Sequence, residues 1–189
     1  MKKKSFIFIT LLMFVLTGFG QKINWETDRY WVDAGVGFYQ SPNHNSGFAI
    51  NLGVNLISDS TLYKFRAITC EEFELFGPTP TERYLSMGLM LGKGFSTKFL
   101  QIYFSAGLGI TGGIIRGDYL YSEPSEGFFD LGGRHYEKNN FVSPSLPLEV
   151  DIMLKPINTM GIGLSAFGDL NLKRPMYGFV AKFNFGKLR

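Results

Sequence analysis

From its residues alone, this 189-residue chain is expected to be all-β: an eight-stranded antiparallel transmembrane β-barrel with short periplasmic turns and longer extracellular loops, after a cleavable signal peptide. Three observations carry that expectation. A basic and then apolar stretch opens the chain. Beyond it, apolar residues recur with a period of two over long runs. Short and long connections then alternate between those runs. Composition agrees, with 23 Gly, 16% aromatic and 19% charged residues. Disordered chains have few aromatics and much charge. Glycine disfavours helices, while Phe and Tyr favour strands. Cys70 is the only cysteine, which excludes a disulfide scaffold.

Residues 1–20 have the form of a signal peptide. Lys2, Lys3 and Lys4 precede an apolar run from Phe6 to Leu16, interrupted only by Thr10. Thr17, Gly18, Phe19 and Gly20 follow, so cleavage is expected after Gly18 or Gly20. The run is shorter than the roughly 20 residues a spanning helix needs. Residues 21–28 would be a periplasmic N-terminal segment, and 29–189 the barrel. The formal charge of +3 belongs to this leader, which holds three Lys and no acid. Without it, 16 basic residues face 16 acidic ones, so no nucleic-acid partner is expected.

Eight alternating runs follow, at about 29–39, 48–58, 61–70, 83–92, 99–112, 140–155, 160–170 and 175–186. Alternation over such lengths is the mark of a strand with one apolar and one polar face. The first run carries Asp33 on its polar face. In the second, Phe48, Ile50, Leu52, Val54 and Leu56 alternate with Ala49, Asn51, Gly53 and Asn55. The third sets Lys64 and Arg66 on the polar face, and the fourth keeps the period. In the fifth, Leu100, Ile102, Phe104, Ala106, Leu108 and Ile110 alternate with Gln101, Tyr103, Ser105, Gly107 and Gly109. The sixth alternates Leu146, Leu148, Val150, Ile152 and Leu154 with Ser145, Pro147, Glu149, Asp151 and Met153. The seventh contributes Asp169, and the eighth Lys182 and Asn184. Most runs reach the ten or so tilted residues that cross a bilayer.

The apolar face is too bulky in sum for the interior of a small barrel, where there is room only for side chains. It should meet lipid, with the polar face filling the lumen and every backbone group paired within the closed sheet. A soluble periplasmic barrel binding an apolar ligand would need the reverse arrangement. Aromatics near strand ends (Tyr30, Trp31, Phe38, Tyr39, Tyr63, Phe65, Tyr177 and Phe185) suit interfacial girdles.

The leader, the eight amphipathic runs and the closing stretch Tyr177-Gly178-Phe179-Val180-Ala181-Lys182-Phe183-Asn184-Phe185 resemble small outer-membrane β-barrel proteins of Gram-negative bacteria. The tail Gly186-Lys187-Leu188-Arg189 is similar to that of Bacteroidetes-type members. The resemblance implies the cell outer membrane, with lipid and lipopolysaccharide around the barrel. It also implies barrel-assembly machinery as the partner during insertion. The class includes adhesins, structural barrels, lipid-modifying enzymes and assembly subunits.

Parity sends Asp33, Lys64, Arg66, Glu149, Asp151, Asp169, Lys182 and Asn184 inward. Counting from strand ends puts Asp33 level with Lys182, and Arg66 level with Asp151. A salt-bridged plug is expected, since buried charge is tolerable only when paired; an ion or proton path is the alternative. Gly107 to Gly112 fits G-x-G-x-x-G but opens no helix, so it is structural. His44 and His135 fall in predicted loops, and a catalytic trio of His135, Glu137 and Ser143 would be the enzymatic reading. Neither His has a second ligand at metal spacing, so no metal and no cofactor are expected. Glu71, Glu72, Glu74 and Glu82 make an acidic loop that is solvated or, alternatively, binds calcium. Lys173 and Arg174 are placed to meet lipopolysaccharide phosphates. The best interaction candidate is the long connection 113–139, with Tyr119, Tyr121, Phe128, Phe129, His135 and Tyr136. Alternatively, the adjoining strands simply extend as a hairpin, with the aromatics packing on each other. The expected role is therefore non-enzymatic, structural or protein-binding, and includes a subunit of a larger envelope complex. An enzyme modifying lipid A or phospholipid is the alternative.

Overall fold

The computed structural model describes residues 28–42, 46–73, 78–122 and 134–188. The predicted leader, His44, Glu74, Phe128 and Phe129 lie outside these residues. Eight strands follow in order: β1 (Arg29–Gln40), β2 (Ser46–Ser58), β3 (Thr61–Glu72), β4 (Arg83–Ser96), β5 (Leu100–Ser122), β6 (Arg134–Leu154), β7 (Met160–Asn171) and β8 (Met176–Lys187). Each pairs antiparallel with its sequence neighbour, and β8 pairs with β1 to close the barrel. The turns Asp59-Ser60, 97–99 and 155–159 share one end with both chain termini of the barrel. We call this the terminal end. The remaining connections lie at the far end.

The stagger of the ring follows from its registers. Stepping through paired residues from Arg29 to Ile57, Leu62, Gly92, Ser105, Glu149, Phe167 and Gly178 returns to Tyr39, ten residues along β1 from the start. At ~3.3 Å per residue and ~4.8 Å between strands, that stagger tilts the strands by about 40°. A 12-residue strand such as β1 then rises about 30 Å, the thickness of a hydrocarbon core.

Large apolar side chains point outward on all eight strands, Leu89 at 70% and Phe104 at 62% exposure among them. A contiguous apolar belt of this extent is foreign to water-soluble monomers. It reverses the arrangement that a soluble carrier of an apolar ligand would need. Phe38, Phe48 and Phe73 stack in series at the far rim, with centroid separations of 5.4 and 5.0 Å. Tyr30, Phe95 and Phe99 are exposed at the terminal end. Trp31 and Tyr39 depart from the girdle expectation, because both are buried in the lumen. They share the parity of Asp33 on β1, and alternation cannot send adjacent residues to one face.

The lumen is layered. At the terminal end, Trp31, Ile57, Leu62, Tyr103, Met153 and Leu188 form an apolar stopper. Leu188 reaches it because Gly186 takes φ +152°, which favours glycine, and its backbone packs against Tyr30 and Trp31. The tail is fixed by Gly186 N–H donating to Thr159 O (3.0 Å) and Leu188 N–H to Asn158 O (2.9 Å). Toward the far end a second apolar layer contains Tyr39, Ile68, Cys70, Tyr84, Phe141, Phe167 and Val180. The charged residues lie between the two layers.

Glycines make room for those charges. Arg66 stands between Gly53 and Gly88 on its neighbouring strands, and Lys182 between Gly35 and Gly163. A Cβ at Gly53 would fall on the Asp33 carboxylate. Gly53→Val should therefore lower the unfolding free energy in detergent by about 1–3 kcal/mol, the usual range for overpacking. An unchanged urea midpoint would count against this role for the glycine.

Candidate functional site

Each of the central charges is carried to the lumen by strand parity, and each meets partners from other strands. Asp33 accepts from the amides of Asn51 and Asn55, both at 2.6 Å, with Lys182 Nζ at 3.5 Å. Glu149 Oε1 accepts from Lys64 Nζ at 2.8 Å and also from Lys182. Asp151 accepts from Lys64 at 2.8 Å, from Lys182 at 3.0 Å and from the Ser165 hydroxyl. Arg66 lies 3.5 Å from Glu149 Oε2 and 3.3 Å from Asp169 Oδ2, with its guanidinium 5.8 Å from the centre of the Phe167 ring. Asp169 also accepts from Ser86 and, at 2.8 Å, from Thr111.

Arg66 and Asp151, level by counting from strand ends, do not pair. Arg66 turns to Asp169 and Glu149, while Asp151 serves Lys64 and Lys182. Counting heights from strand ends ignores the ten-residue stagger, which accumulates around the ring and displaces opposite strands. Asn184 is buried on the same face. Chemically, this is a set of mutually neutralising charges in low dielectric, with an apolar layer at either side.

A second ionic cluster sits at the far end. Arg174 Nη2 donates to both Glu82 oxygens, at 2.6 Å to Oε2, and its Nε donates to Tyr84 Oη at 3.2 Å. Burial works against the Arg174 charge, but the Tyr84 hydroxyl and Glu82 carboxylate outweigh it and hold the group above its ordinary pKa. Arg116 pairs with Glu72, donates to Pro78 O at 3.2 Å, and offers its backbone N–H to Glu82 Oε1 at 2.9 Å. The expected solvated acidic loop is thus corrected: Glu72 and Glu82 are buried and paired with arginines. Their arginines arrive from β5 and from the β7–β8 connection, far away in sequence. Arg174 is likewise withdrawn from the surface, leaving Lys173 exposed beside it. Among the described residues, no three His, Cys, Asp or Glu side chains form a group that could hold a metal ion.

Most of the long connection 113–139 is strand. β5 and β6 run 23 and 21 residues, against 12 to 14 for the others, and project beyond the barrel as a hairpin. Irregular register between Arg116 and Tyr119, and again between Tyr119 and Tyr121, breaks the period of two there. Tyr119 packs edge-on against Tyr136 at 5.6 Å, and Tyr121 stacks on His135 at 4.4 Å. The β3–β4 connection ties itself to the hairpin: Thr79 N–H donates to Arg134 O and Tyr136 N–H to Thr79 O, both at 2.8 Å. Thr79 Oγ1 also lies 2.8 Å from His135 Nδ1. Tyr119, Leu120 and Tyr121 remain exposed.

His135 therefore sits on a strand, not in a loop. Ser143 lies eight residues along β6, about 26 Å away at ~3.3 Å per residue, and is buried with its hydroxyl donating to Pro144 O at 3.1 Å. No catalytic trio of His135, Glu137 and Ser143 is assembled.

A closed eight-stranded antiparallel ring, apolar outside and charged within, is the fold of small outer-membrane β-barrels of Gram-negative bacteria. Several solved structures share it. Neisserial surface protein A matches with TM-score 0.59 at 10% identity, covering 83% of this chain and 95% of that one. Ail, the attachment invasion locus protein of Yersinia pestis, solved with the heparin analogue sucrose octasulfate, matches with TM-score 0.56 at 9% identity, covering 84% and 97%. The N-terminal β-barrel domain of Pseudomonas aeruginosa OprF matches with TM-score 0.50 at 13% identity, covering 84% and 98%. No family model matches the sequence, and no curated protein does.

Proposed function

We propose that the chain is a non-enzymatic outer-membrane barrel, of Bacteroidetes-type bacteria, that presents its far end outside the cell as a structural or protein-binding element of the envelope. The observation that carries this reading is the β5–β6 hairpin. It stands beyond the belt, its cross-strand aromatics are packed, and the Thr79 bridge and the Arg116 pairs brace it against the neighbouring connection. A braced surface with exposed Tyr119, Leu120 and Tyr121 loses little entropy on binding a protein, and aromatic residues are enriched in interface cores. The ionic core between two apolar layers supports a plugged lumen over a conducting one. Separation of His135 from Ser143 supports a role without catalysis. The aromatic alternation of β8 suits recognition by barrel-assembly machinery, and exposed Lys173 and Arg83 at the far rim suit lipopolysaccharide phosphates. A photo-reactive residue at Leu120 should give a discrete protein adduct in intact cells. The same residue at lipid-facing Leu89 should give none. Absence of any protein adduct at Leu120 overturns the reading.

A further inference from the structure

Building on the reading of the far end as a protein-binding element, we propose that an extended segment of the partner adds as a strand to β6 above the barrel, along Lys138–Val142. β4 leaves β5 at the Arg83–Ile114 pair, and β7 leaves β6 at the Asn171–Ser145 pair. Above Ser145, β6 therefore has β5 on one side and an open edge on the other. The structure already shows what this edge accepts. Thr79 lies on it parallel to β6, accepting from Tyr136 N–H and donating to Arg134 O, both at 2.8 Å. Backbone groups alternate between the two edges of a strand. The N–H and C=O of Lys138, Asn140 and Val142 therefore point to the edge that Thr79 occupies. Among the described residues, none of these three has a backbone partner there.

Open edges invite pairing, and proteins normally blunt them with bulges, prolines or a covering loop. Here β6 runs in unbroken register with β5 from Lys138 to Pro144, and the irregularities near Tyr119 lie closer to the tip. Its β5 side is fixed, so the edge holds strand geometry before a partner arrives, which lowers the entropy lost on binding. Pro144 marks its lower end. The two most exposed large apolar side chains among the described residues flank that end: Val142 at 77% on β6, and Leu172 at 91% just beyond Asn171. Lys138 is exposed at the other end. In strand addition the backbone supplies affinity and alternate side chains supply choice. The edge fits a segment with an apolar residue beside Val142 and an acidic one beside Lys138.

A photo-reactive residue at Leu172 should capture one protein of discrete mass in intact cells. Asn140→Pro removes an edge N–H and leaves the β5 ladder whole, because that N–H faces away from β5, and edge strands tolerate proline. The adduct should become about five- to tenfold weaker, as for one lost hydrogen bond. Asn140→Ala, which changes only the side chain, should keep it. Lys138→Pro repeats the test if Asn140→Pro does not fold, as read by its urea midpoint. If neither proline variant folds, these N–H groups are used within the chain and the edge is not open. An adduct equally strong in the folded proline variant overturns edge pairing, and so does equal weakening in Asn140→Ala. An adduct of twice the barrel's mass at Leu172, lipid alone, or nothing also overturns it. Protein capture at Leu120 decides the broader reading separately: retained there, only edge pairing falls; absent at both positions, both fall.

Discussion

Replacing Arg66 by Met should lower the unfolding free energy of the barrel by about 3–5 kcal/mol, the usual result of removing one member of a buried ion pair. Arg66 is 1% exposed and faces two carboxylates that are equally buried. Without it, Asp169 keeps hydroxyl donors from Ser86 and Thr111 but no countercharge, and Glu149 loses one of three cations. The decisive measurement is a double-mutant cycle in urea. Asp169→Asn in the Arg66→Met background should recover at least about 1 kcal/mol, because coupled partners are not additive. Strict additivity would mean that the pair contributes packing and no electrostatic coupling.

Leu89→Arg should cost about 2–4 kcal/mol in a bilayer, as charges at the midplane of barrel faces do. Leu89 is 70% exposed in the middle of β4, opposite Phe65 and Leu108. On a water-facing surface the same change would fall within about 0.5 kcal/mol. Leu120→Arg on the hairpin, at a side chain 59% exposed, supplies that comparison and should be nearly neutral. Equal effects at the two positions would refute a lipid-facing belt and restore the soluble barrel.

Alternation makes the face of nearly every strand residue legible in the sequence. It also named Asp33, Lys64, Arg66, Glu149, Asp151 and Lys182 as a set. Partner choice within the set was not legible, because the stagger of the ring is fixed by pairings between distant strands. Asp169 had the right parity, but nothing local marks it as the partner of Arg66. The sequence left the hairpin as one of two open readings for a different reason. Gly112, Gly113 and Gly117 have the composition of a loop, and the irregular register near Tyr119 erases the period on which recognition of strands depends. The far-end cluster was hidden because Glu82 and Arg174 are 92 residues apart. An acidic stretch gives no sign of which arginine it will meet.

The link between Asp33 and Lys182 has a consequence for how the barrel closes. These residues belong to β1 and β8, the first and last strands made and the pair whose zipping completes the ring. A slip of one residue along that seam would turn Lys182 from Asp33 and Glu149 toward lipid. A slip of two would keep it inside but move it about 6.6 Å from both. Every wrong register strands a charge, so the core proofreads its own last step: only one threading of β8 lets the final seam close with its charges satisfied.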